Sequence, residues 1–266
     1  MAATYLDSIE VFHRQRAASD ERDWRARRDS VRYEGPRLED VLSRDRGPGI
    51  KVIAEIKRRS PSRGWLREDL DVATWSRAYV EGGAAAVSVL TDEAHFSGSR
   101  ADLEAVAAAV AVPVLRKDFT MSENDVLDTA EMGASGLLLI AALLDAEELT
   151  RLVALGVEVG LSPLVEVHDS REAQRALESG ARLIGVNQRD LHTFEVDPEH
   201  AASVIAELRG DVVRIAESGF RTPHDVERAA AAGFDAVLVG EVLVTSPSPK
   251  ESVRQFSSVA LGPRHG

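Results

Sequence analysis

Short apolar runs rich in β-branched residues recur along the chain at regular intervals, and the stretches between them carry helical periodicity. The runs predict strands over Lys51–Lys57, Ala85–Leu90, Val112–Leu115, Gly136–Ile140, Leu161–Val167, Leu183–Asn187, Val212–Ala216 and Ala236–Val239. Helices are expected over Val72–Glu81, Arg100–Val110, Ser122–Met132, Ala146–Leu155, Ser170–Ser179, Pro198–Leu208, Pro223–Ala232 and Lys250–Val259. Eight strands, each followed by a helix, imply a parallel sheet, and the count fits a closed (β/α)8 TIM barrel within the α/β class. At alternate strands the preceding helix ends on glycine: Gly82-Gly83, Gly133, Gly180 and Gly233. That recurrence is a weak internal repeat, with glycine supplying a left-handed helix stop. A doubly wound open sheet would carry a G-x-G-x-x-G turn after its first strand, and none is present.

Before Lys51 the pattern is helical. Residues from Thr4 to about Asp29 read as one amphipathic helix with Leu6, Ile9, Phe12 and His13 on one side. Its arginines, from Arg14 to Arg32, are interleaved with acids and read as a solvated face. A second helix is expected over Arg37–Arg46, stopped by Gly47-Pro48-Gly49. The expected organisation is one barrel domain over 1–266, with 1–50 a helical extension covering the active-site end.

Composition narrows the function. With 266 residues, 44% hydrophobic and 29% charged, the chain can bury a large core. A net charge of −12 argues against a nucleic-acid partner, and an anionic substrate would need a local basic pocket. The absence of cysteine excludes disulfides, thiolate metal sites and a cysteine nucleophile. MAATYLDSIEVFHRQR lacks the apolar core of a signal peptide, and no run approaches a membrane span. A cytoplasmic protein with no membrane partner, a monomer or weak dimer, is the expectation.

Candidate chemistry gathers where a barrel places it, at the C-terminal strand ends. In KVIAEIKRRSPSRG, Glu55 and Lys57 are two residues apart on a strand and so point to one side. Alone they could be one wall of an active site or a structural ion pair capping a core strand. Lys117 lies two residues beyond Leu115, Asn187 and Arg189 share the same spacing, and Glu166 and Glu217 stand at further strand ends. Several unpaired charges converging at one end would cost several kcal/mol each in desolvation, so a functional site explains them better. Two lysines and three glutamates suit acid/base work. Ser218-Gly219 and Gly240-Glu241 can be tight turns or can offer backbone N–H groups to a phosphate, and two pairs at the expected strand ends favour phosphate. No H-x-x-x-H or Asp/His cluster at ligand spacing and no G-x-S-x-G elbow is found, so neither a metal nor a hydrolase triad is expected. His168 lies near the mouth; His192, His200 and His224 read as surface residues.

The motifs VIAEIKRRSPSRG, SVLTDEAHFSGS, VPVLRKDF, LVEVHD, GVNQRDLHTFEVD and AESGF, in this order, closely resemble indole-3-glycerol phosphate synthase from about Val52 to Gly240. The resemblance implies a (β/α)8 barrel with an N-terminal helical extension that needs no metal or organic cofactor. It implies conversion of 1-(2-carboxyphenylamino)-1-deoxyribulose 5-phosphate to indole-3-glycerol phosphate, CO2 and water. Carried across, it makes Lys117 the general acid of ring closure, Lys57 an orienting group and second proton donor, and Glu166 the base of dehydration. Glu55, Asn187 and Glu217 would hold substrate hydroxyls and the lysines, and Arg189 and Ser60 would face the substrate carboxylate. Ser218, Gly219, Gly240 and Glu241 would surround the phosphate, and Phe96 would pack on the aromatic ring. Val242 and Trp65 are larger than the family's usual residues. A phosphoribosyl isomerase would call for an Asp or Cys acid/base pair in place of this set. A non-catalytic paralogue binding a related phosphorylated ligand is the alternative from another class; loss of Lys117 or Glu166 would favour it, and both are present.

Overall fold

In the computed structural model, residues 5–61, 63–190, 195–208 and 210–262 are described. His192 lies outside them. The main strands are β1 (Lys51–Ile56), β4 (Ala86–Leu90), β5 (Val114–Lys117), β6 (Gly136–Ile140), β7 (Ser162–Val167), β8 (Leu183–Asn187), β9 (Val213–Glu217) and β10 (Ala236–Val239). They close into a parallel barrel in sequence order, with β10 pairing back to β1 through Lys51 opposite Ala236. Two short strands, β2 (Arg59–Ser60) and β3 (Gly64–Trp65), form an antiparallel hairpin in the loop after β1. Nearly every strand residue is buried because one face meets the barrel interior and the other meets the helices.

Two strands run further toward the mouth than expected. β5 begins at Val114 and runs to Lys117, and β9 runs to Glu217, each beyond the apolar run that marks it. The ladder continues there, with Lys117 opposite Leu90 and Glu217 opposite Asn187, while the side chains change from apolar to charged. Hydropathy therefore ends these two strands early at the mouth, whereas β1 stops at Ile56, one residue before the expected Lys57. Barrel helices start where a side chain can accept their free N–H groups: Asp71, Ser99, Ser122, Asp145, Asp169 and Asp197 cap α4 (Val72–Glu81), α6 (Arg100–Ala109), α7 (Glu123–Glu131), α8 (Ala146–Glu158), α9 (Ser170–Glu178) and α10 (Pro198–Glu207). The repeated glycines Gly83, Gly133, Gly180 and Gly233 all have positive φ, as a left-handed helix stop requires.

The extension departs from expectation. The long helix is two: α1 (Tyr5–Ala18) and α2 (Trp24–Arg28). Asp20 accepts the Arg22 N–H at 3.0 Å and Asp23 caps Arg25, so local side-chain acceptors compete with the helix between them. The second helix is likewise short, α3 (Leu38–Leu42), followed by a 3-10 turn at Arg44–Arg46 that Ser43 caps. Ile9 and His13 are buried as the amphipathic pattern requires, but Phe12 is 46% exposed.

The arginines are not simply a solvated face. Arg16 pairs with Asp125 at 2.7 Å, Arg14 with Glu148 at 3.1 Å, and Arg22 and Arg27 with Asp128 at 2.7 and 2.6 Å. These partly buried pairs together register the extension against α7 and α8. The chain then passes to the opposite end of the barrel. Tyr33 Oη lies 2.6 Å from Ser135 Oγ, and the Leu38 N–H donates to Ser162 Oγ at 3.1 Å, beside the first residues of β6 and β7. The fully buried Leu38 side chain occupies the space that Gly136 leaves by lacking a Cβ.

Because Leu38 fills the base of the barrel, Leu38→Ala should cost about 2–5 kcal/mol of unfolding free energy in urea titration. A loss below about 1 kcal/mol would show that the extension does not plug that end.

Candidate active site

Every candidate residue read from the strand ends lines one cavity of about 460 Å³ at the C-terminal mouth of the barrel. Glu55, Lys57, Lys117, Glu166, Asn187 and Glu217 form its floor and walls; Ser60, Phe96, Arg189, Ser218, Gly219, Gly240 and Glu241 form its rim. Leu6 and Ile9 of α1 reach the same cavity, so the extension roofs part of it.

Two acid–base clusters organise the floor. Lys57 Nζ lies 2.6 Å from Glu55 Oε1. Across the barrel, Lys117 Nζ lies 3.3 Å from Glu166 Oε2 and 3.5 Å from Glu217 Oε2. Asn187 Nδ2 donates to the other oxygen of Glu166 at 2.9 Å, and its own Oδ1 accepts the Arg189 N–H at 3.0 Å. Glycine makes room for the acids: a Cβ at Gly185 would collide with the Glu217 carboxylate, and one at Gly240 would collide with that of Glu55. Gly240 thus has a packing role alongside its place at the rim.

The electrostatics sort the ionisable groups. Burial works against charge on Lys117, but Glu166, Glu217 and Glu55 outweigh it and hold the ammonium charged well above its ordinary range. Burial would also raise Glu166, yet Lys117, His168 and the Asn187 hydrogen bond keep its carboxyl below the usual value. Glu217 goes the other way, pushed up to about 8 by burial and by Glu166 and Glu55, against the pull of Lys117. Its two oxygens are buried without an aligned hydrogen bond among the described residues, which is consistent with a poorly stabilised anion. His168 does not line the cavity; it stands behind Glu166 at 3.6 Å and pairs with Glu172 at 3.2 Å, and these acids raise its pKa despite burial.

The rim is basic on an acidic protein. Arg63 and Arg221 join Arg189 around the mouth, and the pKa of Arg189 is lowered by burial and by these two like charges. Neither Arg63 nor Arg221 was singled out from sequence; their signal is position, in the loops after β1 and β9. Arg63 Nε reaches Glu241 Oε1 at 3.3 Å, tying the first loop to the last. Ser218 has φ 70° and Gly219 φ 84°. A left-handed serine is uncommon, and such strain is found where surrounding structure holds the backbone for a purpose. The helix α12 (Glu241–Val244) begins just after Gly240, and its first N–H groups have no partners within the helix.

Other residues have structural roles. Arg116 points away from the mouth, as its place beside Lys117 requires, and is buried among Thr91, Asp118 and the Asp125 carbonyl at 2.8–3.0 Å. His200 and His224 are exposed. Folding brings His13 of α1 against Asp92 and His95, a grouping that the sequence spacing does not announce. That approach joins segments about eighty residues apart and no local spacing encodes it.

A family model described as indole-3-glycerol phosphate synthase matches residues 9–256. Proteins bearing the same name are similar over most of their length. That of Streptomyces griseus is 43% identical over 97% of both chains, and that of Mycolicibacterium vanbaalenii 45% identical over 98% of this chain and 97% of the relative. One from Mycobacterium sp. strain KMS is 49% identical over 84% of this chain and 82% of its own. Among solved structures, thiamine phosphate pyrophosphorylase from Pyrococcus furiosus superposes with a TM-score of 0.59 at 14% identity, covering 78% of this chain and 93% of that one; it shares the fold. The relatives and the family model together place the chain in the indole-3-glycerol phosphate synthase family.

Proposed function

We propose that the protein converts 1-(2-carboxyphenylamino)-1-deoxyribulose 5-phosphate to indole-3-glycerol phosphate, CO2 and water, in the service of tryptophan biosynthesis. The observation that carries this is the position of Lys117, a charged ammonium between Glu166 and Glu217 beneath a basic rim. The substrate carries a phosphate and a carboxylate at opposite ends of a sugar ketone. The strained Ser218-Gly219 turn and the Gly240-Glu241 helix start take the phosphate, while Arg189 and Ser60 take the carboxylate. Phe96, whose ring lies 6.2 Å from that of Phe119, packs on the aromatic ring.

Held this way, the ring carbon bearing the carboxylate lies against the ketone carbon, and the fixed approach supplies much of the rate. As the carbon–carbon bond forms, Lys117 Nζ gives its proton to the ketone oxygen. The ring nitrogen becomes iminium-like and accepts the electron pair when CO2 leaves. Dehydration then removes the new hydroxyl with a proton from Lys57, while Glu166 takes the proton from the neighbouring carbon and the indole becomes aromatic. Glu166 suits the base because it stays ionised. Glu55 holds Lys57 in register, and Asn187 orients Glu166.

Lys117→Ala should lower kcat by about 10² or more, read from indole fluorescence; near wild-type turnover would remove its role as acid. Glu166→Gln should stall the reaction after ring closure. Accumulation of uncyclised substrate alone would place Glu166 earlier.

Glu217 gives a pH signature. Its carboxyl is raised from an ordinary 4.5 to about 8, so its contribution to stability is fully present below about 4.5 and is lost as pH rises through about 8. Glu217→Gln lacks that titration and should gain on the wild type, by roughly a few kcal/mol, between these limits. A stability difference that is flat with pH would contradict the raised carboxyl.

A further inference from the structure

We propose that His13, Asp92 and His95 bind a divalent transition-metal ion of the zinc class, fastening helix α1 to the loop after β4. The three residues offer one donor atom each, all within 4.8 Å of one another. His13 Nε2 lies 2.8 Å from Asp92 Oδ2, and His95 Nδ1 lies 3.2 Å from both Asp92 oxygens. Donors about 2.0–2.2 Å from a tetrahedral zinc stand about 3.4 Å from each other. The His95–Asp92 separation is already close to that, the His13–Asp92 pair has to open by about 0.6 Å, and any pair near the 4.8 Å limit has to close.

His13 is poorly satisfied where it stands. It is 3% exposed, and neither ring nitrogen makes an aligned hydrogen bond among the described residues, although Nε2 is so close to the carboxylate. A hydrogen bond would place the carboxylate oxygen on the axis of the ring nitrogen. In a metal site the neighbouring donor stands about 35° off that axis, with the ion between. A buried imidazole nitrogen whose close partner lies off its axis is poorly satisfied, and an ion between the two satisfies it.

Asp92 is prepared for the role. Its Oδ1 accepts the His95 N–H at 2.6 Å and the Phe96 N–H at 3.3 Å, which fixes the carboxylate and leaves Oδ2 toward the rings. Two imidazoles and a carboxylate from three side chains leave a fourth position for water, a donor set suited to zinc. An ion there would join α1, whose Leu6 and Ile9 roof the cavity, to the segment that carries Phe96.

The test uses the untagged full-length protein, stripped with a chelator and titrated with cobalt(II), then with zinc. One equivalent of cobalt should bind with the intense visible bands of tetrahedral coordination and be displaced by zinc. A hundredfold excess of zinc over Kd should raise Tm by about 5–10 °C. His13→Gln and His95→Gln, checked for folding by circular dichroism, should each weaken binding by at least about 100-fold, the upper end of what loss of an outer partner costs. No stoichiometric cobalt or zinc binding by the wild type would overturn the proposal. So would binding that both variants retain.

Discussion

The active end of this barrel depends on an imbalance of charge. Three carboxylates, Glu55, Glu166 and Glu217, share the floor with two lysines, Lys57 and Lys117, and formal charges leave one negative charge in excess. Among buried carboxyls such an excess is resolved by proton uptake rather than tolerated. Glu217 takes that proton because it is buried beside both other acids and lacks aligned hydrogen-bond donors. Glu166 remains ionised because Asn187 and Lys117 serve its two oxygens. One carboxyl is thereby kept neutral and another anionic within reach of the same ammonium, and this difference separates a structural role from a basic one.

The fold exists around this site in a concrete sense. Closure of β10 onto β1 brings the loops of the first and last strands together, so that Arg63 can meet Glu241 at the rim. Gly185 and Gly240 give up side chains so that Glu217 and Glu55 can lie against the backbone of neighbouring strands. The extension works at both ends: Leu38 plugs the base, and Leu6 and Ile9 roof the mouth. Its arginine pairs with Asp125, Asp128 and Glu148 hold the connecting path against the barrel wall.

Much of this was legible along the chain because the barrel is a local repeat. Strand, helix and glycine stop recur within short windows, and the two-residue spacing of Glu55 and Lys57 gives a direction without any tertiary knowledge. The strand ends at Lys117 and Glu217 were read two and one residues short, since hydropathy registers a change of side chain where the hydrogen-bond ladder continues. What could not be read rests on meetings between distant segments. Nothing near Arg16 announces Asp125, nothing near Leu38 announces Gly136, and His13 gains Asp92 and His95 only when α1 lies over the mouth. The division of the first helix was visible in principle, in the acceptors Asp20 and Asp23, but amphipathic periodicity ran through them.

The central claim is that this charged mouth performs the ring closure with loss of CO2. The most direct measurement is to mix the purified protein with the carboxyphenylamino deoxyribulose phosphate in a single turnover, recording indole fluorescence and released CO2 together. The account predicts equal amounts of indole-3-glycerol phosphate and CO2, formed in step and without added cofactor. Absence of both at any enzyme concentration would contradict it, and the barrel would then be a binding protein for a related phosphorylated ligand.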